Sequence, residues 1–94
     1  MLKGSQYNLI LVVSLAKLSS LARARLPASD FACPTTRDYP IVDPSHVASA
    51  RSYYRRPYTV KCAGGKERVC ARARSFGMLK ESYPNSAEWR EWCK

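Results

Sequence analysis

The stretch Leu9-Ile10-Leu11-Val12-Val13-Ser14-Leu15-Ala16, followed by Ala22-Arg23-Ala24, determines how the remainder of this chain is interpreted. A basic Lys3 precedes the apolar run, and Ala22-Arg23-Ala24 has the small-x-small form that signal peptidase accepts. A membrane-spanning helix needs about 20 apolar residues, and Lys17 ends this run too early. The pattern therefore predicts a signal peptide over residues 1–24 and a secreted product. Secretion places the following residues in an oxidising compartment, where cysteines form disulfides.

The four cysteines are accordingly predicted to staple one small domain over residues 31–94, after a flexible lead over residues 25–30. A chain of this size buries only about 60% of the surface that its unfolded form exposes, and each disulfide contributes roughly 2–4 kcal/mol. The spacing lacks the short C-x2–4-C pairs of zinc sites, so neither a metal nor another cofactor is expected. From the residues alone all three pairings stay open. The disulfide residues are Cys33, Cys62, Cys70 and Cys93.

The N-terminal half of the domain predicts a short hairpin followed by the main helix. Residues 31–33 and 39–42 read as two strands around a turn that begins at Pro34. Asp43 is a suitable N-cap and Pro44 a suitable first helical residue. Apolar positions then recur with helical spacing up to Pro57, which predicts a helix over about residues 44–55.

The C-terminal half predicts a second hairpin and a short helix. Residues 58–62 and 68–74 alternate in polarity around Gly64-Gly65, which is typical of a β-hairpin. Residues 85–88, Asn-Ser-Ala-Glu, have the cap-x-x-Glu form of a helix start, and Trp89 and Trp92 follow on one face. The fold class is therefore α+β: one main helix packed on a short antiparallel sheet with a β-hairpin, stapled by disulfides.

Basic residues are concentrated in the centre of the chain. The full chain has 16 Lys and Arg against 7 Asp and Glu, and removal of Lys3, Lys17 and Arg23 with the signal leaves 13 against 7, a net charge of +6. Such a density favours a salt-sensitive encounter with an acidic protein surface or nucleic acid. The predicted contact surface comprises Arg55, Arg56, Lys61, Lys66, Arg68, Arg72 and Arg74.

In the predicted strand, Arg68, Arg72 and Arg74 stand in a row on one face because side chains alternate. The opposite face is Val69, Ala71 and Ala73, which has little bulk for insertion into a bilayer, so membrane contact is the weaker alternative. We expect an Arg72→Glu, Arg74→Glu pair to weaken an acidic partner and to leave the fold intact, because exposed sites seldom change stability by more than about 0.5 kcal/mol.

Catalytic residue types are scarce. His46 is the only histidine and is predicted to be an exposed residue early on the main helix. No two carboxylates have the spacing that would separate the pKa values of an acid and a base. The sequence therefore predicts a protein that acts by binding and is not an enzyme.

Phe31-Ala32-Cys33 with the late Cys93 resembles the small secreted effectors of plant-pathogenic fungi, especially their ribonuclease-like group, which carry a [Tyr/Phe/Trp]-x-Cys motif after the signal. The resemblance implies Cys33–Cys93 and Cys62–Cys70 disulfides, no catalytic residues, and virulence through binding a host protein or RNA.

Cys33-Pro34, residues 39–42 and Tyr58 before Cys62 also resemble the Kazal-type protease inhibitors, although two of the six cysteines of that family are missing. Pairing of Cys33 with Cys62 and of Cys70 with Cys93 would favour such an inhibitor-like core. A cationic host-defence peptide is a third alternative, which follows from basicity.

Overall fold

A two-stranded antiparallel sheet and the helix after it form the N-terminal part of the domain, as the sequence predicts. The computed structural model describes residues 19–94. Its elements are helix α1 (Ser20–Arg25), a 3-10 turn (Ala28–Asp30), strands β1 (Phe31–Cys33) and β2 (Asp38–Pro40), and helices α2 (Pro44–Tyr54), α3 (Gly65–Ser75) and α4 (Ser86–Trp92). The α+β class is confirmed.

The main helix begins and ends close to its predicted bounds. Asp43 is its N-cap and accepts a hydrogen bond from the backbone N–H of His46, and Pro44 occupies the first turn. In the preceding sheet, Phe31 pairs with Pro40 and Cys33 with Asp38. The start of the helix follows from these local sequence signals. The second strand is shorter than the predicted residues 39–42, since β2 is Asp38–Pro40.

The predicted second hairpin is wrong. Residues 65–75 form helix α3, and residues 58–62 are a loop. Residues 65–75 are rich in Ala, Arg, Lys and Glu, which favour helix over strand. Val69, Cys70 and Ala73 are buried together, a spacing of one and four residues that fits a helical stripe. Gly64 enters the helix with φ +76°, a backbone conformation that glycine adopts without strain.

Helix α4 lies where the sequence predicts a C-terminal helix, but its N-terminus is built differently. Asn85 occupies the N-cap position with φ 62° and makes no side-chain capping hydrogen bond. Glu88 instead lies beside α2, with Oε1 3.6 Å from Nη2 of Arg51. Trp89 is buried as expected, and Trp92 is half-buried.

The core is small because many of its members are small. Phe31 and Cys33, the two end residues of β1, are also almost fully buried. The main cluster joins residues from β1, all three later helices and the segments after β2 and α3: Ala32, Ile41, Val47, Ala50, Val69, Ala73, Met78 and Trp89. With so little apolar surface to bury, the domain depends on its covalent links.

Two disulfides supply these links. Cys33–Cys62 joins β1 to the loop before α3, and Cys70–Cys93 joins α3 to the residue after α4, each with a Cα–Cα distance of 5.8 Å. The pairing implied by the effector resemblance, Cys33–Cys93 with Cys62–Cys70, is therefore wrong. The observed pairing is the one expected of an inhibitor-like core.

The predicted signal peptide falls mostly outside the described residues. Arg23 and Leu26 contact the domain: Nη2 of Arg23 donates to the carbonyl oxygen of Arg37 (2.8 Å), and Nη2 of Arg37 donates to the carbonyl oxygens of Arg23 (2.7 Å) and Leu26 (2.6 Å). The predicted lead, residues 25–30, includes Leu26 and the 3-10 turn. Within residues 19–94, no helix is long and apolar enough to cross a membrane.

Candidate functional site

The helix at residues 65–75 redistributes the seven basic residues of the predicted surface. In a helix, positions four apart share a face, so Arg68 and Arg72 lie together, and Arg74 lies elsewhere. The predicted row of three arginines on one strand face is therefore wrong. The structure separates the seven cations into two that hold the domain together, one beside the C-terminal end of α4, and four in or just after the segment that connects α2 to α3.

Arg68 and Arg72 hold the domain together. Nε of Arg68 donates to the carbonyl oxygen of Ala32 (2.6 Å), and its Nη2 to that of Ala63 (2.7 Å). Arg72 donates from Nη1 to the carbonyl oxygen of Ile41 (2.7 Å) and from Nη2 to that of Ser29 (3.1 Å).

Nη2 of Arg72 also lies 3.3 Å from Oδ1 of Asp30. Both guanidinium groups are thus engaged with backbone and carboxylate oxygens of the segments packed against α3. Arg74 is exposed and lies near the end of α4, where its Nη2 donates to the carbonyl oxygen of Cys93 (3.3 Å). These three arginines do not form a common contact surface.

The remaining cations belong to or border the loop that connects α2 to Cys62. We call residues 55–61 the basic loop. Arg55, Arg56 and Lys61 are exposed, and Tyr58, between them, is 98% exposed. Tyrosine is intermediate in burial on average, so a tyrosine with almost its whole surface in solvent has its ring and hydroxyl free to contact a partner.

Side-chain hydrogen bonds to the backbone hold the basic loop and the adjoining Cys62 in place. The hydroxyl of Tyr39 donates to the carbonyl oxygen of Val60 (2.9 Å), and that of Tyr54 donates to the carbonyl oxygen of Cys62 (3.0 Å). The Thr59 hydroxyl lies within hydrogen-bond distance of the Tyr53 and Arg56 carbonyl oxygens.

Nζ of Lys61 donates to the carbonyl oxygens of Arg56 (2.5 Å) and Thr59 (3.2 Å). The ammonium group of Lys61 therefore both contributes positive charge to the loop and stabilises the loop by hydrogen bonds. Tyr39 adopts φ 64°, a left-handed conformation that a tyrosine rarely takes. Its hydroxyl contacts the basic loop, so the strained backbone conformation occurs at a residue that positions this loop.

Two aromatic rings each contact a basic side chain through the ring face. Arg56 lies 4.7 Å from the ring centroid of Tyr53, and Lys66 lies 5.1 Å from that of Trp92. Tyr53 is also stacked on Tyr39, with centroids 6.1 Å apart. A cation–aromatic contact of this kind restricts the motion of a long side chain and so fixes its orientation. Arg56 and Lys66 therefore present their charge from defined positions.

A cleft of about 420 Å³ adjoins the basic loop. We call it the α4 cleft; it is lined by Arg55, Ala87, Glu88, Glu91 and Trp92. Arg55 thus belongs both to the basic loop and to this cleft. Glu88 and Glu91 keep most of their side chains in solvent, 67% and 74% exposed.

Arg51 supports the cleft from the α2 side. Its guanidinium carbon lies 4.3 Å from the ring centroid of Trp89, and its Nη2 is 3.6 Å from Glu88. Its buried Nη1 makes no hydrogen bond to any of residues 19–94. The loose contact with Glu88 leaves that carboxylate available to a second cation.

His46 is not the exposed residue that the sequence predicts. Its side chain is only 11% exposed, and Nδ1 lies 2.8 Å from Oδ1 of Asp43. The ring thus completes the cap of α2. Across residues 19–94, no group of three or more His, Cys, Asp or Glu side chains is placed to hold a metal ion.

Tyr58, Tyr39 and Trp92 were missed as site residues by sequence reasoning. The predicted strand over residues 58–62 would cover one face of Tyr58. The signal that identifies it is Pro57 after Arg55 and Arg56, because a proline there ends the helix and places Tyr58 in the loop that follows.

Comparison with models of protein families, with curated proteins and with solved structures found no match. The function is therefore inferred from the site itself.

Proposed function

We propose that this chain is a secreted, non-catalytic binding protein that contacts an acidic protein surface through the basic loop. The observation that carries the proposal is the 98% exposed Tyr58 on a loop fastened by side-chain hydrogen bonds and flanked by Arg55 and Arg56. Tyrosine and arginine are the residues most enriched among energetically dominant contacts of protein interfaces. A loop held in place loses little conformational freedom on binding, which favours affinity.

An acidic protein is favoured over nucleic acid by the surroundings of the loop. Glu88 and Glu91 adjoin it in the α4 cleft, so the positive charge of the loop is a discrete patch and not the continuous groove that follows a phosphate backbone. Single-stranded nucleic acid is bound by stacking of bases on open aromatic faces. Tyr58 offers one such face, but Tyr53 is covered by Arg56 on its ring and stacked on Tyr39, so it does not offer a second platform for a neighbouring base.

A role as an effector or toxin-like factor belongs to the same proposal. Its support is the predicted signal peptide, the [Tyr/Phe/Trp]-x-Cys motif at residues 31–33, and two disulfides of the kind that persist outside the cytosol. The corrected disulfide pairing removes one expected likeness to the ribonuclease-like effectors. Binding through Tyr58 and its neighbouring arginines does not depend on that likeness.

We expect an Arg55→Glu, Arg56→Glu variant to lose binding to an acidic, tyrosine- and leucine-containing peptide, used as the probe. The reason is that charge reversal beside Tyr58 places carboxylates where the probe presents its own. Titration calorimetry at low and physiological salt measures the affinity, and we expect at least about a tenfold loss, typical of a dominant interface contact. Tyr58→Ser should weaken binding without changing net charge.

The matched control is Arg74→Glu, Lys80→Glu, which changes the net charge equally at two exposed positions away from the basic loop. An equal loss in this control would show that binding depends on total charge, against the proposal. A single-stranded oligonucleotide of equal charge tests the alternative partner. Its tighter binding through the same residues would replace the protein partner with nucleic acid.

A protease inhibitor is the second candidate, favoured by the Cys33–Cys62 and Cys70–Cys93 pairing and by the fastening of the loop ahead of Cys62. If this candidate is correct, the protein inhibits a chymotrypsin-like protease, whose hydrophobic specificity slot accepts a tyrosine side chain, and Tyr58→Ala abolishes the inhibition. Residual protease activity is measured against increasing protein. Rapid cleavage after Tyr58 without inhibition would identify the loop as a substrate and exclude this function.

A further inference from the structure

Helix α1 is joined to the domain by a reciprocal pair of arginines. Ser19 is the N-cap of the helix, and its side chain accepts a hydrogen bond from the backbone N–H of Ala22. Nη2 of Arg23 donates to the carbonyl oxygen of Arg37, and Nη2 of Arg37 donates in return to the carbonyl oxygen of Arg23. Each arginine thus binds the backbone of the other, and together they connect α1 to the turn between β1 and β2.

The same two arginines cover the ring of Phe31. Their guanidinium carbons lie 5.9 Å (Arg23) and 4.7 Å (Arg37) from the ring centroid. Phe31 has no exposed surface, yet it is not a member of the main core cluster. Part of its cover therefore comes from α1, and loss of Arg23 would remove a cation–aromatic contact from a buried ring.

The sequence offers three places at which signal peptidase accepts a small-x-small pattern: Ser14-Leu15-Ala16, Ser20-Leu21-Ala22 and Ala22-Arg23-Ala24. The enzyme reads the residues next to the cut, so the sequence alone permits all three. The structure shows what each product would keep.

The two later cuts both damage α1. Cleavage after Ala24 removes Arg23 and leaves one residue of the helix, Arg25. Cleavage after Ala22 removes the cap Ser19 and leaves a positively charged α-amino group on Arg23, at the end of a helix where the macrodipole disfavours a cation. Cleavage after Ala16 keeps the cap, the whole helix and the arginine pair.

We propose that the signal peptide is removed after Ala16 and that residues 17–24 remain in the secreted protein as part of its domain. This inference rests on the secretion that belongs to the proposed function. A signal of 16 residues falls within the range of about 15–30 that is typical of such segments. Lys17, which ends the apolar run, then becomes the first residue of the product.

The proposal changes the charge with which the protein meets its partner. A product that begins at Lys17 has 15 basic residues against 7 acidic ones, a net charge of +8. The product of cleavage after Ala24 has a net charge of +6. The longer product is therefore steered more strongly toward an acidic surface at low salt.

The N-terminus of the secreted product tests the proposal. The full chain is expressed with its own leader in a secreting cell, and the product in the medium is examined by N-terminal sequencing and intact mass. We expect Lys17 as the first residue. A first residue at position 20 or later would overturn the proposal and leave secretion intact. A chain retained in the cell with its leader uncut would instead contradict secretion, and the proposed function with it.

A pair of matched variants locates the cut independently. Ala16→Tyr replaces the small residue before the proposed cut with a large one, and we expect it to abolish the native product mass. Ala24→Tyr makes the same change at an exposed position of α1, and we expect processing to be unchanged. If Ala24→Tyr blocks processing and Ala16→Tyr does not, the cut lies after Ala24 and the proposal is wrong.

A second pair of variants tests whether α1 belongs to the folded domain. In the secreted protein, Arg23→Ala should lower the equilibrium constant of folding by about fivefold or more, as loss of a hydrogen bond does. Arg25→Ala, at an exposed position of the same helix, should leave it unchanged. Urea unfolding measures both, and an Arg23→Ala protein as stable as the Arg25→Ala protein would count against the proposal.

Discussion

A Cys70→Ala, Cys93→Ala variant is expected to be unfolded, or nearly so, near physiological temperature. The disulfide closes a segment with a sequence separation of 23, for which chain entropy gives roughly 3.5 kcal/mol. The seven-residue α4 is too short to be stable alone. It also carries both tryptophans of the chain, and Trp89 belongs to the core. Urea unfolding followed by tryptophan fluorescence measures the loss.

The second disulfide is the matched control for this prediction. A Cys33→Ala, Cys62→Ala variant loses a comparable closure term, for a sequence separation of 29. Its expected defect lies in the basic loop, because Cys62 directly follows that loop and α4 stays linked to α3 through Cys70–Cys93. At low temperature its tryptophan emission should stay native-like. If the free energy of unfolding of the Cys70→Ala, Cys93→Ala variant lies within about 1 kcal/mol of that of the native protein, α4 is held by packing and the prediction is wrong.

Arg72→Glu is expected to destabilise the domain by about 3–5 kcal/mol, the cost of breaking a partly buried, hydrogen-bonded charge pair. The substitution removes donors from the carbonyl oxygens of Ile41 and Ser29, and it places a second carboxylate beside Asp30. Arg72 is 27% exposed, so solvent screening moves the expected cost toward the lower value. Denaturant unfolding of the oxidised protein measures it.

Arg74→Glu is the control, two residues away on the same helix. Arg74 is exposed and donates one long hydrogen bond to Cys93, so its reversal should change stability by no more than about 0.5 kcal/mol. If Arg72→Glu changed the free energy of unfolding as little as Arg74→Glu does, the Arg72 contacts would contribute nothing to stability. The outcome also revises an expectation from the sequence, in which reversal of both arginines leaves the fold intact.

The difference between these two arginines was invisible in the sequence because it depends on the type of secondary structure. In a strand Arg72 and Arg74 share a face, and in a helix they do not. The alternation of Arg with small residues in 68–74 satisfies the strand pattern, and the same residues satisfy a helical stripe through Val69, Cys70 and Ala73. Short runs of small residues are ambiguous in this way.

The sequence by itself determined the features that depend on neighbouring residues. Asp43 and Pro44 start α2, Pro34 begins the turn region between β1 and β2, and the cysteine spacing excludes a zinc-type arrangement in favour of disulfides. The reason is that caps, turns and proline constraints act over three or four residues, so all the residues that take part in them are neighbours in the sequence.

Only the tertiary structure decided which cysteines pair, which arginines are internal and where the exposed tyrosine lies. Each of these depends on contacts between residues distant in the chain: Arg72 with Ile41, Tyr39 with Val60, and Cys33 with Cys62. A charged side chain has the same sequence signature whether it meets solvent or a carbonyl oxygen. The packing of α3 against the sheet decides between the two, and with them the location of the binding surface.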